Sequence, residues 1–204
     1  MKKRISIAVS VVALALLLIA GTVAVTVAYL TSKTDTVTNT FTVGNVTITL
    51  DETKVGSDGK AATPAERTIE NSYKLFPNGE YLKDPTIHVD AASSDCYLFV
   101  KVTNDLEDVE DSSNTIAKQL ENNGWKALAG QDGVYYLNSV ATAGKDYPVF
   151  TTVKIAATAT NADLSAIVNA EGKGFVTVIA YAIQVDGFAD AAAAWAAAPA
   201  EWNN

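Results

Sequence analysis

His88 and Cys96 are the only histidine and the only cysteine in the 204-residue chain, and that limits its chemistry. Zinc hydrolysis needs three protein ligands, usually two of them histidines, as in a helical His-Glu-x-x-His, and that motif is missing. A Ser-His-Asp relay would have to use His88, but the Gly-x-Ser-x-Gly elbow that presents such a serine is missing. The phosphate-cradling Gly-x-x-x-x-Gly-Lys-Ser/Thr loop is missing too. His88 alternates with Ile87 and Val89, the pattern of a strand with the histidine on its exposed face. Cys96 opens the apolar segment Cys96–Val102 with no histidine nearby to lower its pKa, so it reads as a small buried hydrophobe. Intermolecular pairing or a reactive thiol is the alternative.

The run Asn104–Asp111 is rich in oxygen ligands, and calcium takes such ligands from loops. Asp105, Glu107, Asp108, Glu110 and Asp111 are the candidates, although the glycine and terminal bidentate glutamate of an EF-hand are lacking. The other reading is a solvated acidic loop with no cofactor. Tyr97, Tyr135, Tyr136, Tyr147 and Tyr181 fall on strand patterns, where such rings pack in a core or pair across strands. A carbohydrate-binding platform is the alternative for them.

The N-terminus sets the location of any such chemistry. Lys2, Lys3 and Arg4 precede an uncharged apolar run from Ile5 to Ala28. Cations ahead of an apolar stretch resist translocation, so the remainder is threaded outward. Thr26 and Ala28 are small residues at −3 and −1 of a cut before Tyr29. Residues 1–28 are therefore expected to be a signal peptide. The run is also long enough to span a bilayer as a retained anchor, since a span needs about 20 residues. Either way the body is expected outside the cell, at the surface or in a matrix, touching a membrane only through the leader.

The formal net charge is −8, and removing the three leader cations makes it −11 (−8 minus 3). Such a body is repelled by nucleic acid, and no basic groove is visible. One cysteine in an exported protein excludes an intramolecular disulfide. Residues 29–204 are long enough to bury a core without staples, as one domain.

Period-two patterns predict strands over Thr40–Leu50, with a bulge at Gly44, and over Pro85–Val89, Tyr97–Val102, Val149–Ala157 and Phe175–Val185. Trp125–Leu128 and Val134–Leu137 flank a hairpin turn at Gln131-Asp132-Gly133. Tyr97–Val102 is apolar on both faces and so central. Asp51–Glu70 reads as a surface loop and Pro77-Asn78-Gly79 as a turn. Short helices are expected after a cap at Ser112 or Ser113, over Asp163–Asn169, and over the alanine-rich Ala189–Ala198. The fold class is mainly β: a jelly-roll-like β-sandwich with a few short helices, preceded by the signal or transmembrane helix.

Four segments together resemble the TasA/camelysin family of exported bacterial proteins, whose leaders are processed by a SipW-type signal peptidase. They are Ala28-Tyr29-Leu30-Thr31 followed by Asn39–Val46; Pro77-Asn78-Gly79 followed by Lys83–Ile87; Asp95–Val102; and Ala180–Phe188 with Ala194-Trp195. The chain departs from the family start in placing Ser32-Lys33-Thr34 before the first acidic residue, Asp35. The resemblance implies a jelly-roll domain in a surface or biofilm-matrix fibre, a homopolymer in which the N-terminal segment of one subunit adds a strand to the next. An accessory matrix protein is a further implied partner. Tyr29–Val43, with Tyr29, Leu30, Val37, Phe41 and Val43 as its apolar side chains, would be the donor; it would otherwise pair within its own subunit. The family label also implies a metallo-endopeptidase, for which these residues offer no zinc-ligand pair and no catalytic residue. A monomeric surface binding module is the third reading.

Overall fold

A computed structural model describes residues 45–56, 58–171 and 174–203. Their strands are β1 (Ile48–Thr53), β2 (Arg67–Thr68), β3 (Glu80–Leu82), β4 (Thr86–Val89), β5 (Cys96–Asn104), β6 (Trp125–Ala127), β7 (Val134–Leu137), β8 (Asp146–Pro148), β9 (Thr152–Lys154) and β10 (Val176–Gln184). The α-helices are α1 (Ile116–Asn122), α2 (Asn161–Val168) and α3 (Ala191–Ala196). The architecture is mainly β and the ladders are antiparallel. One sheet has the order β2-β1-β4-β8, a second β10-β5-β7-β6, and β3 pairs with β9.

Side-chain alternation explains the layering. β4 turns Ile87 and Val89 inward, and β5 turns Cys96, Leu98, Val100 and Val102 to the same core. Ile116 and Leu120 of α1, Trp125, Phe150 and Ile155 fill the space between. The other face of β5 carries Phe99 into a second cluster with Val134, Leu128 and α3's Ala191, Ala194 and Trp195. β5 is thus covered on both faces and lies between β10 and β7, which is why its sequence does not alternate polar with apolar.

Several boundaries depart from expectation for identifiable reasons. Asp51–Glu70 is not all loop: β1 continues to Thr53, and Arg67 and Thr68 pair back on it. Asp51, Thr53 and Arg67 share the face of the sheet that carries His88, and buried Glu52 is a carboxylate, so the segment lacks the apolar signal of a strand. The strand expected over Val149–Ala157 shrinks to Thr152–Lys154. Gln119, buried on α1, takes over part of that backbone, its Oε1 accepting from Thr151 N at 3.0 Å and Thr152 N at 3.1 Å. α1 is capped by Thr115, whose hydroxyl accepts from Lys118 N, while Ser113 donates to Asp111 instead. Asp190 caps α3, accepting from Ala193 N at 2.8 Å. Of the strand expected over Thr40–Leu50, the described residues show Ile48–Leu50 as the start of β1, and Thr40–Gly44, with the bulge expected at Gly44, lie outside the described residues.

The β6–β7 turn needs glycine at Gly133. Its φ is +67°, and a Cβ there would sit 2.7 Å from the Val102 carbonyl oxygen. Gly133→Ala is expected to cost about 2 kcal/mol, read as a lower urea midpoint at unchanged slope. Gly124→Ala, where φ is +83° but no atom lies within 4 Å of the added carbon, should lose only the left-handed backbone term, about 1 kcal/mol.

Candidate functional site

The sole histidine is drawn into an ionic network on the outer face of the β2-β1-β4-β8 sheet. Its Nδ1 lies 2.7 Å from Asp146 Oδ1 on β8, and its Nε2 lies 2.9 Å from Asp51 Oδ1 on β1. Arg67 of β2 donates from Nε to the same Asp51 oxygen at 2.7 Å and from Nη1 to Asp84 Oδ2 at 3.1 Å. Asp84 in turn accepts from the Thr53 backbone N–H at 2.6 Å. His88 is therefore half-buried and doubly engaged rather than a free surface residue, with its side chain 33% exposed. Partial burial opposes ionisation of Asp51, but hydrogen bonds from His88 and Arg67 outweigh it and hold the carboxyl below its usual range. With both nitrogens committed to carboxylates, the ring offers no free lone pair to a metal or substrate in this arrangement.

Cys96 is fully buried in the main core. Burial, with a smaller push from the Asp95 charge, raises its thiol pKa to about 11.

The acidic run diverges. Asp105 Oδ2 accepts from Phe175 N at 3.1 Å, fastening the start of β10. Glu107 and Asp108 lie on an exposed 3-10 turn, Glu107–Val109. Glu110 is buried and accepts from Ile116 N at 3.0 Å and Asn104 Nδ2 at 3.1 Å; burial pushes its pKa up against those bonds. Asp111 accepts from the Ser113 hydroxyl and pairs with Lys154 at 2.9 Å, and its carboxyl sits well below the usual range through those contacts. No group of three or more His, Cys, Asp or Glu side chains gathers as a metal site would need among the described residues.

The tyrosines pack. Tyr135 and Tyr147 lie against the main core, and Tyr97, Tyr136 and Tyr181 against the second cluster. Tyr181 sits 5.8 Å from the Trp195 ring and 4.6 Å from that of Trp202.

Two features are open. A cleft of about 510 Å³ runs between the extended segment Glu70–Leu75 and the α2–β10 region, with Tyr73, Leu106, Leu164, Val168 and Phe175 among its walls. Val168 and Phe175 are half-exposed there. Lys83 on the same wall makes a 2.7 Å ion pair with buried Glu52, which also accepts from Asn71 Nδ2 at 2.9 Å. The second feature is β10. It pairs with β5 over nine residues and ends its sheet, so its other side has no ladder partner among the described residues. Ile179 on this strand and Phe175 just before it are exposed apolar side chains.

Ala28, Tyr29, Leu30, Val37, Phe41 and Val43 lie outside the described residues. The described chain enters at Asn45, whose carbonyl accepts from Ser94 N at 2.8 Å; the adjoining Asp95 carbonyl accepts from Val185 N, just past the C-terminal end of β10. No described helix is long and apolar enough to cross a membrane. Comparison with known proteins finds no family model, no curated protein and no solved structure that matches the chain.

Sequence reasoning did not find Arg67, Asp84 and Asp146 around His88, nor the Lys83–Glu52 pair. Their partners lie 16 to 58 positions away, and only the sheet register brings them together.

Lys83→Met should leave the Glu52 carboxylate buried without its cation and cost about 3 kcal/mol in urea unfolding, with much of it regained in the Lys83→Met/Glu52→Gln double variant. Cys96 should resist iodoacetamide in the native protein and react once urea unfolds it; labelling at equal rates in both states would contradict its burial.

Proposed function

We propose that the chain is an exported structural subunit of a cell-surface or matrix fibre. In this reading the body is a jelly-roll-like β-sandwich released by cleavage between Ala28 and Tyr29. Tyr29–Val43 is then the donor, laying an extended, β-branched strand along the open side of β10 in the next subunit. A head-to-tail contact of this kind does not close, so it propagates as a filament. The similarity of four separated segments to the TasA/camelysin family supports the reading. The observation that carries it is β10 itself: a nine-residue, mostly apolar edge strand whose side away from β5 has no ladder partner among the described residues, the kind of edge that proteins otherwise blunt with charge, proline or a covering segment.

The cleft beside β10 favours a second reading, a monomeric surface module that takes a ligand, since its volume falls in the range of small-molecule sites. Such a protein would stay monomeric and bind one ligand saturably.

Electron microscopy of the exported protein decides between them. The full mature chain should form filaments. Deletion of Tyr29–Val43 should abolish them while circular dichroism still reports a folded β protein. Ile179→Lys, which places a charge on the exposed face of β10, should weaken assembly without unfolding. Identical fibres from the truncated chain, or a mature chain that never assembles, would refute strand donation.

A further inference from the structure

The ionic network around His88 does more than decorate a sheet. A neutral imidazole donates from one nitrogen only; the other presents a lone pair. Here both nitrogens face carboxylate oxygens, at 2.7 Å and 2.9 Å, so a neutral ring would set a lone pair against a carboxylate on one side. The arrangement is satisfied by an imidazolium that donates to both. We propose that His88 is a proton-operated clamp that fastens the Asp146 end of edge strand β8 to the β2-β1-β4-β8 sheet and loosens that end when the ring loses its proton.

The groups facing the ring come from each element around it. β1 contributes Asp51 and β8 contributes Asp146; Arg67 of β2 reaches Asp51, and Asp84 follows behind Arg67. Three carboxylates and one guanidinium leave an excess of negative charge that favours the protonated ring. Partial burial opposes that charge, but hydrogen bonding and charge from Asp51 and Asp146 outweigh it, so the His88 pKa lies above its ordinary 6.5.

The two arms of the clamp are unequal. The Asp51 side chain is 27% exposed and held by Arg67, whereas that of Asp146 is 68% exposed. On deprotonation the ring keeps its bond to the fixed Asp51, and Asp146 turns into solvent, where it is rehydrated. Away from the clamp β8 is held at its far end: Trp125 Nε1 donates to the Pro148 carbonyl at 3.0 Å and Tyr147 packs on the main core, while its three register pairs with β4 include Pro148, which has no N–H to donate.

The pH window follows from the two shifts. Because the folded-state pKa of His88 is raised, its contribution is complete below about pH 6.5 and lost as pH rises through the folded value. Because that of Asp51 is lowered, its contribution is present above about pH 3.8 and lost as pH falls through the folded value. The clamp is closed between them.

His88 is the only histidine, so nitrogen NMR of the full chain reads this one site without assignment ambiguity. Both ring nitrogens should carry protons well into neutral pH, with a midpoint above 6.5. Across that titration the Val89 and Val149 amides, which donate to Lys145 O and Pro85 O beside β8, should lose about tenfold in exchange protection after correction for intrinsic rates. His88→Gln should make that protection independent of pH. Asp146→Asn, at an exposed position that leaves the core intact, should lower the histidine midpoint. A midpoint at or below 6.5, or protection at β8 that does not follow the titration, would overturn the clamp.

Discussion

The Cys96–Val100 stretch of β5 is apolar on both faces, and covering both faces of that one stretch organises the molecule. Toward the main core, Leu98, Val100 and Val102 meet Ile87 and Val89 of the other sheet. On the opposite side, Phe99 is sealed by α3 through Trp195, the two rings 5.0 Å apart. A helix of six residues has too few internal hydrogen bonds to stand alone, so α3 exists because that face of β5 needs a lid. β10 and β7 then flank β5 as its ladder partners. Exposing a strand of this composition to water would forfeit several side chains' worth of burial, each about 1.5–3 kcal/mol.

Polar residues do the complementary work at the margins. Gln119 and Glu110 are buried, and each gives a polar atom to backbone at the end of an element: Gln119 accepts from Thr151 N and Thr152 N at the start of β9, and Glu110 from Ile116 N at the start of α1. Buried polar groups must be hydrogen-bonded, and here they also end strands and begin helices. The outer face of the β1-containing sheet uses ions instead. Arg67, Asp51, Asp84, His88 and Asp146 tie four strands and the segment before β4 with contacts near 3 Å, where the other sheet uses aromatic packing.

Legibility in the sequence follows the range of the interaction that sets each feature. β5, β10 and the β6–β7 turn were readable because local composition determines them: unbroken apolar runs, and Asp132-Gly133 between two strand patterns. The inward set of β4 was readable from alternation. The end of β1 and the shortening of β9 were not, because each depends on a residue elsewhere: Arg67 and Gln119 respectively. The candidate site divides the same way. That β10 would be a strong strand was visible in its residues, while its place at the end of a sheet belongs to topology. His88 was legible as a strand residue on the face away from Ile87, but its two carboxylates come from strands 37 and 58 positions distant.

The aromatic lid over β5 has an optical consequence. Tyr181 lies within 6 Å of two indoles, and those of Trp195 and Trp202 are themselves 5.9 Å apart. At such separations the excited phenol hands its energy to indole before it can emit, and the paired indoles couple their transitions. The native body therefore carries its own spectroscopic label for α3, in which the chain's C-terminal segment, through Trp202, reports whether the lid is seated on the sheet.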